Sequence, residues 1–185
     1  MFTFPQIGNY GCNKENYESG KIQTKACIVK EWCRSPHQGE ENFDEFLKRE
    51  RIPGLEGIDT RELTITTRES GTLRAVICTD EKITPEEGVK RAKQMEWPAA
   101  SNLVADVSTK EIYKQGKKGP NVTLYDWGVK KSIVTNLAKK NQVTVVPWNY
   151  SFQQIQETKP DLIFMSNGPG DPDHPEMKSV VDNIT

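Results

Sequence analysis

The sequence predicts an α/β protein whose second half is built around a parallel sheet. From residue 121 onward, short apolar runs alternate with amphipathic segments in the order strand, helix, strand, helix, strand, helix. This order is typical of parallel strands joined by right-handed helical crossovers. The 185 residues are 35% hydrophobic and 28% charged, with a formal net charge of −1. That composition fits a globular protein and argues against a basic surface for nucleic acid.

The first 118 residues predict a mixed α/β domain without a clear topology. Segments 24–29 and 72–78 are typical of strands, and segments 42–50 and 85–94 are typical of amphipathic helices. The Lys- and Gly-rich segment 113–120 has few residues that could be buried and several that form turns. We therefore predict a domain boundary there, with one domain over 1–118 and a second over 121–185.

The second domain begins with a predicted strand at 122–126, which turns at Gly128 into a helix over 129–140. The helix is predicted because its apolar residues recur at helical spacing, while its lysines fall off that face. The residues on the predicted buried face are Val129, Ile133, Val134, Leu137 and Ala138.

Two further strands, at 143–147 and 162–166, complete the predicted sheet. A short helix between them starts at Ser151, with Gln154 three residues later in a capping-box pattern. A loop over 167–175 leads into a last helix. The predicted buried residues of that helix are Met177, Val180, Val181 and Ile184.

The loop after the third strand is the strongest candidate for a binding site, because ligands of open parallel sheets bind beyond the carboxyl ends of the strands. In this loop two prolines fix the backbone, and Gly168 and Gly170 allow sharp turns. The amide N–H groups of the two glycines are then available to a ligand, which suits a developing oxyanion. The alternative is that the loop is only a turn between a strand and a helix.

None of the four cysteines resembles an acyl-transfer nucleophile, which needs a strained turn flanked by glycines. They have no CxxC spacing, so we expect reduced thiols. Cys27 and Cys78 are expected to be small core residues of strands. Cys12 and Cys33 are expected at loop or edge positions.

The remaining polar residues predict neither a metal site nor a membrane segment. His37 and His174 are expected to be solvated loop or cap residues rather than general bases, and no metal-ligand spacing occurs. No apolar run approaches the roughly 18 residues of a membrane span, and the opening residues do not resemble a signal peptide. We therefore expect a cytoplasmic protein that binds no membrane.

Five segments resemble, in order, the small, glutamine-hydrolysing subunit of carbamoyl-phosphate synthetase. The resemblance spans nearly the whole chain and is specific, because a chance match to both GIDTR and SNGPGDP in register is improbable. The matching segments are FTFPQIGNYG at 2–11, GIDTRELT with RESGT within 57–72, NLVADVS at 102–108, DWGVK at 126–130 and SNGPGDP at 166–172.

The resemblance implies a small-subunit N-terminal domain, truncated at its start, over 1–118. It implies the first half of a flavodoxin-like, class I glutamine amidotransferase domain over 121–185. The implied activity is hydrolysis of L-glutamine. The ammonia passes to a large subunit, or to a fused synthetase domain, which uses bicarbonate, ATP and magnesium to make carbamoyl phosphate for arginine and pyrimidines. No cofactor or metal is implied for this chain.

Few site residues carry over from this family. Gly168 resembles the glycine whose amide contributes to the oxyanion hole, and Gly170 resembles a neighbour that lines the glutamine site. The Asp59-Thr60-Arg61 segment is expected to organise a turn, and Asp126 and Lys130 are expected to be scaffolding.

The family's catalytic residues have no match in these 185 residues. The nucleophilic cysteine of a G-I-C-x-G-H-Q segment, its His and Glu partners, and a glutamine-contacting serine near the amino terminus are all unmatched. We therefore expect an internal fragment with no catalytic residue and no activity of its own. The alternatives are a non-catalytic docking or regulatory module for the large subunit and a flavodoxin-like protein that binds small anions.

Overall fold

The computed structural model describes residues 2–34, 38–97 and 100–183. The chain divides into two compact units, Met1–Met95 and Glu96–Thr185. This division lies before the predicted boundary at 113–120, because part of that segment is a strand of the second unit's sheet.

The first unit is built from short elements. Its strands form two parallel pairs, β1 with β3 and β2 with β4. In chain order the elements are β1 (Gln6–Ile7), a 3-10 helix (Lys14–Asn16), β2 (Cys27–Ile28), β3 (Glu31–Trp32), α1 (Phe43–Arg49), β4 (Gly54–Leu55), α2 (Thr60–Ser70) and α3 (Pro85–Gln94).

The core of the first unit forms where β2 and α1 meet. Cys27, Val29 and Leu47 are buried there, surrounded by partly buried aliphatic and aromatic side chains. Helix α1 begins at a complete capping box in which Asn42 and Glu45 bond each other's backbone N–H groups. The predicted helices over 42–50 and 85–94 and the buried position of Cys27 are therefore confirmed.

Two predictions for the first unit are wrong. Residues 72–78 form no strand in the described structure, and Cys78 is exposed. The segment has a strand-like run of apolar residues at 75–78, but no described strand pairs with it, so its backbone gains no ladder of hydrogen bonds. The expected role of the Asp59-Thr60-Arg61 segment is confirmed, because the carboxylate of Asp59 accepts from the N–H groups of Arg61 and Glu62 in the turn that starts α2.

The second unit contains a four-stranded sheet in the order β5-β7-β6-β8. Strand β6 is parallel to both β7 and β8, and β5 is antiparallel to β7. The elements are α4 (Leu103–Val107), β5 (Tyr113–Gln115), β6 (Asn121–Tyr125), α5 (Lys131–Ala138), β7 (Gln142–Val146), α6 (Phe152–Glu157), β8 (Leu162–Met165) and α7 (Pro175–Asp182). The predicted α/β class with a parallel sheet is confirmed.

Helices cover both faces of β6 and β7. Val134 of α5 packs in the cluster on one face, and Ile155 of α6 packs with Tyr125 and Val146 on the other. The predicted buried faces of α5 and α7 are confirmed for the described residues, whereas Ile184 lies outside them. Because β6, β7 and β8 run in one direction, the loops that follow them meet at one edge of the sheet.

Candidate functional site

The candidate site is the group of loops beyond the carboxyl ends of β6, β7 and β8. Gly168 lies in the third loop, directly against the first. A β-carbon added to Gly168 would come within 1.9 Å of the carbonyl oxygen of Trp127. Only glycine therefore fits this approach between the two backbones.

A second glycine contributes from the first loop. Gly128 has a φ of +113°, and a β-carbon there would lie 3.1 Å from Cδ of Pro169. A side chain would therefore be strained by the backbone conformation as well as crowded by the third loop. The two glycines therefore allow the first and third loops to lie closer together than larger residues would permit.

Ser166, at the end of β8, ties the same two loops by hydrogen bonds. Its hydroxyl accepts from the N–H of Trp127 at 3.0 Å and donates to the carbonyl of Asn167 at 2.9 Å. The residue is buried, so both bonds are shielded from water. The sequence analysis missed this residue, although its position at the end of a predicted strand was a usable signal.

The carboxylate of Asp126 organises the first loop. Oδ1 accepts from the N–H groups of Gly128 at 3.0 Å and Val129 at 2.9 Å, and Oδ2 accepts from the N–H of Thr109 at 2.7 Å. The predicted scaffolding role of Asp126 is confirmed. Lys130 is exposed at the start of α5 and its side chain makes no capping bond.

The amides of Gly168 and Gly170 face no protein acceptor. Both residues are exposed, and neither N–H donates a hydrogen bond within the part of the chain that the structure describes. Gly170 has a φ of +89°. The loop thus presents two exposed backbone donors, and backbone N–H groups of this kind can bind an anionic oxygen.

His174 is the last residue of this loop before α7 and the N-cap residue of that helix. Its backbone N–H donates to the carbonyl of Asp171 at 3.0 Å. The Nδ1 atom is buried without a hydrogen-bond partner in the described structure. His174 is a cap residue as predicted, whereas His37 lies outside the described residues.

Two family models match the chain. Residues 1–77 match "Carbamoyl-phosphate synthase small chain, CPSase domain", and residues 123–185 match "Glutamine amidotransferase class-I". The resemblance of this chain to the carbamoyl-phosphate synthase small chain is therefore confirmed. The loops described above fall in the amidotransferase match, which agrees with the predicted fold class.

Curated small chains are similar to this chain along almost its whole length. The carbamoyl phosphate synthase small chain of Bacillus caldolyticus is 41% identical, with 98% of this chain and 50% of the relative covered. The pyrimidine-specific small chain of Bacillus subtilis is 40% identical, with 98% and 50% covered. The arginine-specific small chain of Halalkalibacterium halodurans is 40% identical, with 93% and 47% covered. The chain spans about half the length of these relatives.

The second unit contains no cysteine, since all four cysteines precede residue 96. Burial raises the pKa of the Cys27 thiol, which opposes formation of a thiolate. Among the described residues, no group of His, Cys, Asp and Glu could hold a metal ion, and no helix is long and apolar enough to cross a membrane.

Proposed function

We propose that this chain forms part of the glutamine site of a glutamine-dependent carbamoyl-phosphate synthase. In this proposal the amides of Gly168 and Gly170 hold the carbonyl oxygen of glutamine as it becomes negatively charged. The supporting observation is the pair of exposed, unpartnered amides on a loop that Trp127 and Ser166 hold in place. The amidotransferase match covers the same residues.

The proposed reaction replaces the amide nitrogen of glutamine. A nucleophile attacks the side-chain carbonyl carbon and the C=O electrons move to oxygen. The tetrahedral intermediate then collapses, the C–N bond breaks, and the nitrogen takes up a proton and leaves as ammonia. Water attacks the remaining acyl intermediate, which forms glutamate and frees the nucleophile. An oxyanion-hole donor is typically worth about 10²–10³ in kcat. Because residues 96–185 contain no cysteine, we propose that the nucleophile and its base are not among the residues of the second unit.

The ammonia is proposed to pass to a large chain, where ATP, with magnesium, and bicarbonate are used to make carbamoyl phosphate. The relatives include both a pyrimidine-specific and an arginine-specific small chain. We therefore propose that the product serves one or both of these pathways.

The proposal is tested with Gly168→Ala in the full natural chain assembled with the large chain. Gly20→Ala is a matched control, since a β-carbon at Gly20 meets nothing within 4 Å. We expect Gly168→Ala to lower glutamine-dependent synthesis by about 10²-fold or more and to leave synthesis from added ammonia unchanged. Gly20→Ala should leave both rates unchanged.

Two results would overturn the proposal. One is glutamine-dependent synthesis that is unaffected by Gly168→Ala. The other is a complex that uses ammonia but never glutamine, which would favour a docking module.

A separate assay concerns a polypeptide of these 185 residues alone. We expect it to release no ammonia from glutamine, because it offers oxyanion donors without a nucleophile. Turnover that survives replacement of all four cysteines by serine would contradict the proposed mechanism. Turnover that is lost with one of the four would identify a nucleophile in the first unit.

A further inference from the structure

Residues 102–109 fall between the two family matches, which cover 1–77 and 123–185. They form a short segment made of the cap residue Asn102, helix α4 and the two residues after it, and we call them the 102–109 segment. Although no family model assigns a role to this segment, it contacts the loops after all three parallel strands.

The contact with the first loop is made by the end of the segment. The N–H of Thr109 donates to Oδ2 of Asp126 at 2.7 Å. Cγ2 of Val107 lies 3.0 Å from the position that a β-carbon on Gly128 would occupy. The turn that carries the Trp127 carbonyl therefore rests on the 102–109 segment.

The contact with the second loop is made by Ser108. Its hydroxyl accepts from the N–H of Trp148 at 2.9 Å and donates to the carbonyl of Thr109 at 3.2 Å. Ser108 is 5% exposed, so this bond is sheltered from water. The indole N–H of Trp127 donates to the Trp148 carbonyl at 3.3 Å, which joins the second loop to the first.

The contact with the third loop and the helix that follows it is made by the start of the segment. Cβ of Leu103 lies 3.7 Å from the β-carbon position of Gly170. The side-chain amide of Asn102 donates to Oε2 of Glu176, in the first turn of α7, at 2.5 Å. The same residue caps α4, because its Oδ1 accepts from the N–H of Ala105 at 3.1 Å.

We propose that the 102–109 segment is a positioning element of the glutamine site. It sets the spacing of the three loops and thereby the placement of the Gly168 and Gly170 amides. Asn102 and Ser108 are positioning residues, since they act through Glu176 and Trp148 rather than on the substrate. The inference rests on the proposed function for its effect on glutamine, but its effect on loop order can be measured independently.

The first test is Ser108→Ala, which removes the acceptor for the Trp148 N–H. Ser108→Thr keeps the hydroxyl, and Gln153→Ala changes an exposed residue of α6, outside the 102–109 segment, as a control. Leaving a buried donor unpaired corresponds to about a tenfold to hundredfold effect on an equilibrium or rate. We expect Ser108→Ala to lower kcat/KM for glutamine in the full chain with its large chain by that factor. Ser108→Thr should restore most of it, and ammonia-fed synthesis should not change.

The second test separates helix capping from the link to α7. Asn102→Asp keeps the capping acceptor but faces the Glu176 carboxylate with a like charge. Glu176→Gln supplies a donor, so the double variant restores the hydrogen bond with its direction reversed. The N–H groups of Asp173 and His174 donate to Asp171 in the third loop and are the amides to follow. We expect the single Asn102 variant to speed hydrogen exchange of these two amides by several-fold, and the double variant to return it to the wild-type rate. This pair also tests the inference if Ser108→Ala fails to fold.

The outcomes distinguish the inference from the function on which it rests. Wild-type enzyme that never uses glutamine contradicts the proposed function, while the exchange measurement still decides the role of the segment. The inference is overturned if exchange of the Asp173 and His174 amides stays at the wild-type rate in the single Asn102 variant or is not reversed in the double variant. It is also overturned if Ser108→Ala folds and glutamine kinetics do not change.

Discussion

Replacement of Asp126 should remove the hydrogen bonds that hold the turn of the first loop and join this loop to Thr109. Asp126 is only 7% exposed, and its carboxylate accepts three backbone N–H groups at 2.7–3.0 Å. Hydrogen bonds to a charged group contribute about 1.5–3 kcal/mol each, and a buried donor left unpaired costs about 1–3 kcal/mol. Because water can reach part of the loop once it relaxes, we expect Asp126→Ala to lower the free energy of unfolding by roughly 3–5 kcal/mol.

Asp126→Asn gives a graded version of the same change. The amide retains one acceptor oxygen, and its NH₂ group faces N–H donors where the second carboxylate oxygen stood. We expect about half the loss seen with alanine. Asp106→Ala, at an exposed position in the second unit, should change the free energy of unfolding by less than about 0.5 kcal/mol.

The assay is urea unfolding followed by circular dichroism, combined with amide hydrogen exchange at 109, 128 and 129. Protection of these three amides should fall more than protection of the β6 amides. If Asp126→Ala unfolds at the wild-type urea concentration, or if the three amides keep their protection, the carboxylate does not hold the loop. The role assigned to Asp126 in the candidate site would then be wrong.

Three further predictions concern the rest of the chain. Cys78 is exposed, whereas Cys27 is buried and its pKa is raised. A maleimide should therefore label Cys78 faster than Cys27, and equal labelling rates at the two residues would contradict this. The Arg49 guanidinium holds the pKa of Glu41 below its usual range, so this pair stabilises the fold above about pH 4 and the contribution is lost as pH falls through the lowered pKa. Glu41→Gln should reduce the fall of the urea midpoint at acid pH. If the pH dependence of the urea midpoint is unchanged, this pair does not make the contribution assigned to it. Leu162 is 54% exposed and lies on β8, a strand at the edge of the sheet. Because exposed apolar edge strands promote self-association, Leu162→Lys should reduce the self-association measured by light scattering. If light scattering depends on protein concentration as in the wild type, this prediction is wrong.

The second unit could be predicted closely because its elements follow strong local rules. The apolar runs of β6, β7 and β8 lie within one residue of their predicted bounds. The capping box at Ser151 and Gln154 is present in the structure. In these segments the hydrophobic period and the cap chemistry favour the same structure, so tertiary contacts only reinforce it.

The elements that could not be predicted depend on partners distant in sequence. Helix α2 buries only Thr60 and lacks an apolar face. Strand β5 lies in a Lys- and Gly-rich segment and forms because β7 pairs with it. The 72–78 segment shows the converse, since it has a strand-like apolar run but no described strand pairs with it.

Only part of the candidate site could be predicted from the sequence. Gly168 and Gly170 stood out because glycine and proline restrict the backbone in a recognisable way. The hydrogen bonds of Ser108 and Ser166 could not be predicted, since a serine hydroxyl gives no periodic signal and finds its partner only after folding. Only the position of Ser166 at the end of a predicted strand pointed to the site. The oxyanion role of the two glycines stays a prediction.

The most direct test of the glutamine site follows the amide nitrogen itself. The full natural chain, assembled with the large chain, is supplied with glutamine labelled with ¹⁵N at the side-chain amide, and the product is analysed by mass spectrometry. We predict labelled carbamoyl phosphate, with the label lost in Gly168→Ala and retained in Gly20→Ala. Incorporation of label from ¹⁵N-ammonium but none from glutamine in the wild-type enzyme would contradict a glutamine site at this loop.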